Sequence, residues 1–243
     1  MRGLRAALAF LTRLPSGRLE AEDFACAPAW FGVVGLLIGA LLALVFVVAD
    51  ALWPATLAAL VTVAAGLLIT GGLHEDGVAD VFDGLGSGRP KERALEIMRD
   101  SRIGSFGALA LGLALAARIL ALAALGPLVV VSLIAGQGLS RVMMALLLRA
   151  GPYARASGAA TGMTGPFGPQ GAAVLGATLL VSLALMGYHA GWAVFGGLAG
   201  LILSVWLVRL WMMRRIGGLT GDAFGAAQVL GDVGFLLGLL ACL

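Results

Sequence analysis

Residues 71–104 hold the side chains best suited to chemistry. Gly-Gly-Leu-His-Glu-Asp-Gly-Val-Ala-Asp-Val-Phe-Asp-Gly occupies 71–84 and Arg-Asp-Ser-Arg-Ile-Gly occupies 99–104. Of the 13 acidic residues in the chain, Glu75, Asp76, Asp80, Asp83, Glu92, Glu96 and Asp100 fall in this stretch. Asp76, Asp80 and Asp83 are spaced i, i+4, i+7, which puts them within an arc of roughly 60° on a helix. Like charges so stacked repel. A solvated face would interleave lysines, but the residues between are Gly77, Val78, Ala79, Val81 and Phe82. The pattern points to a hard divalent cation held for work on phosphate, and an acidic juxtamembrane face is the plainer alternative. His74 is either a helix-end residue or a hydrogen-bonding partner of a carboxylate or phosphate. Glu75 points away from the aspartate face. Glu92 and Glu96 pair at helical spacing with Lys91, Arg93 and Arg99, as on an ordinary solvated helix.

Asp100, Ser101 and Arg102 extend the candidate site, Asp100 as a metal ligand and Ser101 and Arg102 as a grip on phosphate, since a guanidinium binds phosphate oxygens in pairs. A second constellation is Gly217-Gly218-Leu219-Thr220-Gly221-Asp222, followed by Asp232. Asp222 is a ligand candidate or a helix N-cap. Asp232, Arg118 and Arg141 fall inside apolar runs, where a charged side chain is costly and so a functional candidate. They are expected to bind substrate or to pair with one another. The Gly-, Pro- and Ala-rich loop 149–170, with Arg155, reads equally as a lid or a connector. No Gly-rich phosphate loop, nucleophile elbow or paired zinc histidines occur, which leaves direct in-line transfer on a metal-bound phosphate.

The elements that must position these residues are membrane helices. The chain is 60% hydrophobic and 12% charged, against about a quarter charged in soluble domains. It reads as all-α, a single integral membrane domain over residues 1–243. Residues 1–14 suit an interfacial amphipathic helix, with Leu4, Leu8 and Leu11 opposite Arg2, Arg5 and Arg13, and no signal peptide is expected. About seven hydrophobic spans follow, near 28–49, 52–73, 104–125, 128–148, 171–188, 192–213 and 223–242. With the amino terminus inside, the inner segments collect every Lys and Arg except Arg118, Arg141 and Arg209, which lie within spans, and this satisfies the positive-inside rule. The candidate site then faces the cytoplasm. Gly35/Gly39 and Gly196/Gly200 read as close helix packing. Cys26 and Cys242 lie on opposite sides and cannot pair. The formal charge of +3 comes without a basic block interleaved with aromatics, so no nucleic-acid partner is expected.

The segments 71–84 and 97–107, with Phe-Leu-Thr-Arg-Leu-Pro at 10–15 and Gly-Leu-Thr-Gly-Asp at 218–222, resemble the signature blocks of the cobalamin synthase (adenosylcobinamide-GDP ribazoletransferase) family, in the family's order and across essentially the whole chain. At position 232 the family usually carries glutamate; aspartate keeps the charge and shortens the reach. The resemblance implies a multi-pass enzyme of the cell inner membrane that uses Mg²⁺ to join adenosylcobinamide-GDP to α-ribazole or its 5′-phosphate, releasing GMP. Its partners would be these small molecules and the lipid bilayer; a homo-oligomer or contacts with other cobalamin-pathway enzymes stay open. The expected metal ligands are Asp76, Asp80 and Asp83, with Asp100 or Asp222. Asp80 or Asp83 would be the base, and Arg102, Arg141 or Arg118 would neutralise phosphate charge. Two rival readings are a CDP-alcohol phosphotransferase, disfavoured because no arginine falls in the aspartate stripe, and a cation transporter, disfavoured because the acidic residues gather on one side.

Overall fold

The computed structural model describes residues 2–155, 158 and 160–243. Met1, within the 1–14 stretch expected to form the interfacial helix, and Ala156, Ser157 and Ala159, within the 149–170 stretch expected as a loop, lie outside the described residues. These form ten α-helices: α1 (Arg2–Leu11), α2 (Phe31–Asp50), α3 (Ala55–Thr70), α4 (Leu73–Gly86), α5 (Lys91–Ile97), α6 (Ser105–Ala124), α7 (Val129–Leu147), α8 (Pro169–Ala190), α9 (Ala193–Ile216) and α10 (Gly221–Leu240). Six helical segments are long and apolar enough to cross a bilayer, and the bent pair α3–α4 makes a seventh candidate. Each expected span thus meets a helix within a few residues, because an unbroken apolar run of about 20 residues has few other ways to satisfy its backbone in lipid. Outward-facing Leu68 (78% exposed) and Leu113 (72% exposed) belong in hydrocarbon, and the protein is a multi-pass membrane protein.

The span expected over 52–73 departs from a plain helix. α3 stops at Thr70, and α4 leaves it at 91°. Gly71 and Gly72 carry φ of +69° and +70°, two consecutive left-handed residues that only glycine adopts cheaply. At 1.5 Å per residue α3 is about 24 Å long, and α4 then turns across it to pack on α10 and α6.

α7 and α10 form the buried centre. Glycines let backbones meet there. A Cβ on Gly39 would lie 2.7 Å from Ile134 Cα across the α2–α7 crossing, and one on Gly200 would lie 2.8 Å from the Gly234 carbonyl carbon across α9–α10. Both glycine pairs therefore pack within the chain, as expected. Gly77 does the same for the site: its Cβ would lie 2.5 Å from the Asp222 carbonyl oxygen, so α4 lies directly on α10.

α1 differs from the expected interfacial helix in the face that it buries. Gly3, Ala6, Ala7 and Leu11 pack inward, against the 3₁₀ segment Ala21–Trp30, and Leu4 and Leu8 are only half-buried. The small side chains allow this approach; Trp30 lies where a Cβ on Gly3 would be.

Candidate active site

α4 is a helix, so the sequence spacing becomes geometry. Asp76 and Asp80 line an open cleft of about 620 Å³ at the bundle end, together with Phe10, Arg13, Ser101 and Arg102. Asp222 arrives from the first turn of α10. It is not the N-cap: Thr220 fills that position, its hydroxyl accepting from the Ala223 amide at 3.4 Å. Asp222 is thereby free to accept from Arg155 Nη2 at 2.7 Å and from the Thr220 hydroxyl at 3.2 Å. Arg155 is held in turn by backbone pairing of its loop with the glycine turn, Ala154 N–H to Leu219 O at 2.7 Å and Leu219 N–H to Pro152 O at 2.8 Å. At this point the 149–170 loop is a clip on the second constellation and not a plain connector.

The carboxylates lack sufficient countercharge. Burial, then the charges of Asp76 and Asp222, push Asp80 up from its ordinary 3.8 to about 7; Arg155 opposes the shift and Asp83 adds to it. Among the described residues no three His, Cys, Asp or Glu side chains converge closely enough to ligate an ion. The donor set nonetheless suits a hard divalent cation in kind: oxygen ligands with a surplus of negative charge on facing helices.

Asp83 stands apart from its two neighbours. Its Oδ2 accepts from the Gly104 amide at 2.7 Å and its Oδ1 from the Gly107 amide at 2.8 Å, capping the start of α6 from another helix. Asp83, expected as a ligand or base, holds backbone with both oxygens in this structure. Asp83→Ala is expected to lose about 1–2 kcal/mol of stability, the usual worth of a cap, read as a lowered unfolding midpoint in detergent, with Asp83→Asn retaining part. An unchanged midpoint for Asp83→Ala would refute the capping role.

Asp100 is also engaged. Arg102 donates to it from Nε at 3.0 Å and from Nη2 at 2.6 Å, and these bonds hold the Asp100 carboxyl down at about 2. Ser101 and Arg102 line the cleft with Asp76 and Asp80, and Arg102 also reaches the adjoining rim, which it lines with Asp100, Asp83 and Arg93. Arg93 pairs with Glu96 at 2.6 Å on an exposed face, as expected for a solvated helix.

Arg118, Arg141 and Asp232, expected to bind substrate or one another, do the latter. They are 5%, 1% and 3% exposed, and none lines a cavity described here. Arg118 Nε lies 3.0 Å from Asp232 Oδ2, and its Nη1 lies 3.7 Å from Glu75 Oε1. Gln137 donates to Asp232 at 2.9 Å and accepts from Arg141 Nη1 at 2.6 Å. Two positive and two negative side chains thus form one interior network beneath α4. Beside it, His74 is 2% exposed, with neither ring nitrogen partnered among the described residues. Burial, then the charges of Arg141 and Arg118, hold its imidazole well below the ordinary value.

Sequence reasoning gave no site role to Arg13, Gln137 or Thr220 and left Arg155 undecided. Arg13 carried a usable signal, since it sits in the block Phe10–Pro15 where α1 ends. Its amide donates to Ile69 O at 2.8 Å, fixing it beside the α3–α4 bend. Thr220 carried one too, as a threonine placed to cap the apolar run that follows; Gln137 and Arg155 depend on contacts between distant segments.

A model of the cobalamin-5-phosphate synthase family matches residues 3–240. The chain is 40% identical over 248 aligned residues to the adenosylcobinamide-GDP ribazoletransferase of Escherichia coli (strain K12), covering 97% of this chain and 98% of that one. It is 38% identical over 248 residues to that of Shewanella frigidimarina, covering 97% and 92%. No solved structure matches.

Proposed function

The chain belongs to the cobalamin-5-phosphate synthase family, and we propose that it joins adenosylcobinamide-GDP to α-ribazole, or to its 5′-phosphate, at the cleft beside Asp76 and Asp80. Family membership makes it an enzyme of cobalamin synthesis and displaces the lipid-phosphotransferase and transporter readings. The observation that carries the site assignment is the meeting of carboxylates and arginines at one end of an otherwise apolar bundle, where a diphosphate and its counterion find both charges. We place this end on the cytoplasmic side of the inner membrane, supported by the concentration of basic residues there.

In the proposed reaction the ribazole 3′-hydroxyl attacks the phosphorus that bears cobinamide, the phosphoanhydride bond breaks, and GMP leaves with the bridging oxygen. A Mg²⁺ ion, when bound, would supply charge neutralisation at the diphosphate. Asp76 and Asp80 would supply ligands from the protein, with Asp222 adding negative charge from α10, and oxygens of the substrate would complete the shell. Arg102 and Arg13 draw the phosphates into the cleft, Ser101 offers a hydroxyl, and Asp83 sets the start of α6 against α4. Asp80, poised near neutrality, is also the candidate to take the hydroxyl proton. The test is incubation of reconstituted protein with both substrates, with and without Mg²⁺, following GMP and the corrinoid product. Absence of both products from folded protein would overturn the reading.

The sign of the pH dependence follows from Asp80. Its folded pKa is raised, so between 3.8 and about 7 the unfolded chain ionises first and ion-free stability falls as pH rises. Cation binding requires the ionised form. Ion-free protein is therefore expected to show a falling unfolding midpoint from pH 5 to 8, and the stabilisation by added Mg²⁺ should grow over that range. Stabilisation by Mg²⁺ that is equal at pH 5 and 8, or unchanged by Asp80→Asn, would contradict the assignment.

A further inference from the structure

A second cavity opens beside the cleft and differs from it in kind. It is tighter, about 90 Å³, and is lined by Phe10, Phe31, Met144, Met163, Phe224 and His74, with Asp76, Arg155 and Asp222 as its charged residues. At roughly 15 Å³ per water it holds about six waters, the bulk of a two-ring heterocycle. Phe10 and Phe31 stack at 5.6 Å with 3° between planes, and Phe10 and Asp76 belong to both cavities. The apolar chamber thus adjoins the polar cleft through shared walls.

His74 is the unexplained group in this chamber. A buried imidazole with two unpartnered nitrogens costs free energy unless something hydrogen-bonds it. Its place on α4 is enforced by close packing, since a Cβ on Gly225 would lie 3.1 Å from His74 Cα. The unpartnered histidine among aromatic and thioether side chains suits a flat ligand with a wide apolar surface and few polar atoms. Of the heteroaromatic bases in the proposed reaction, adenine, guanine and the dimethylbenzimidazole of ribazole, the last fits this description, having one free ring nitrogen to accept a hydrogen bond and no exocyclic polar group. Guanine carries several donors and acceptors on its edges. Asp222 is already paired with Arg155 and Thr220, and a methionine- and phenylalanine-lined wall would leave most of the guanine edge unsatisfied.

We infer that this chamber is the lower-base subsite: it receives the benzimidazole ring of α-ribazole edge-first, with His74 donating to the free ring nitrogen and the ribose directed toward Asp76 and the cleft. The inference rests on the reaction proposed above and adds where, and by what chemistry, the acceptor nucleoside is held.

The experiment is steady-state kinetics of the full-length protein in proteoliposomes, with each substrate varied in turn. Wild-type protein is first assayed with α-ribazole; if no product forms, the proposed reaction fails before the subsite is tested. With activity established, the indole riboside that replaces the free ring nitrogen by CH is expected to raise the acceptor KM about tenfold, the worth of one hydrogen bond. In His74→Phe the two acceptors should become equivalent. Met163→Trp, which fills the chamber, should raise the KM for α-ribazole at least tenfold and leave the KM for adenosylcobinamide-GDP within about twofold. The wild-type analogue comparison does not depend on any variant folding. An equal KM for the two ribosides on wild-type protein would overturn the histidine contact. A Met163→Trp effect on adenosylcobinamide-GDP or on GMP inhibition, with the acceptor KM unchanged, would assign the chamber to guanine and overturn the inference.

Discussion

Asp80→Ala is expected to lower turnover on the order of 10³-fold while the helical bundle stays folded, the scale on which removal of one preorganised electrostatic group reduces catalysis. Asp80 lies at the centre of the acidic group: Asp76 is one turn before it on α4, and Asp222 approaches from α10. Burial first, and then the charges of Asp76 and Asp222, raise the pKa of Asp80 to about 7. Removing it takes away a cation ligand and the candidate proton acceptor together. Asp80→Asn separates the two in part, because an amide oxygen still ligates a hard cation weakly but cannot take a proton. The measurement is GMP release by variants matched for expression and unfolding midpoint, across a range of Mg²⁺ concentrations. Asp80→Asn activity should stay low at saturating Mg²⁺ if the proton is the larger part, and recover toward wild type if ligation is. Full activity in Asp80→Ala would remove the residue from the mechanism. Asp83→Ala gives the internal contrast: its loss should appear first in stability, since its oxygens cap α6.

That contrast marks where sequence stops being informative. The spans were legible because each depends on a local apolar run that lipid forces into a helix. The aspartate stripe was legible because helical spacing alone sets its face. The 91° turn at Gly71–Gly72 was not, because good helical sequence continues on both sides and the bend depends on where α4 finds α10. Nor was the fate of Asp83. At i+7 it shares the stripe of Asp76 and Asp80, but the amides that claim it come from Gly104 and Gly107, brought near only by the packing of α6 on α4. The buried arginines were recognisable as exceptional, but their pairing joins residues as far apart as Gln137 and Asp232, and a one-dimensional pattern carries no trace of it.

Those arginines give the second large effect. Asp232→Leu is expected to destabilise the protein by about 3–5 kcal/mol, because removing one partner leaves a buried charge without its counterion. The network holds Arg118 and Arg141 against Glu75 and Asp232; after the substitution two guanidinium groups share one carboxylate in an interior closed to water. The double variant Arg118→Met/Asp232→Leu leaves Arg141 with Glu75, a neutral balance, and should recover at least half of the loss, since replacing both members of a buried pair by apolar groups is often nearly neutral. Unfolding in detergent micelles, carried through the full double-mutant cycle, measures the coupling. The consequence reaches the cleft because Glu75 precedes Asp76 on α4: the pair ties the site helix to α6 and α10, which explains how a helix turned across α3 keeps its register. If instead Asp232→Leu leaves the unfolding midpoint unchanged and raises the KM for either substrate, Asp232 belongs to substrate binding and the tether is refuted.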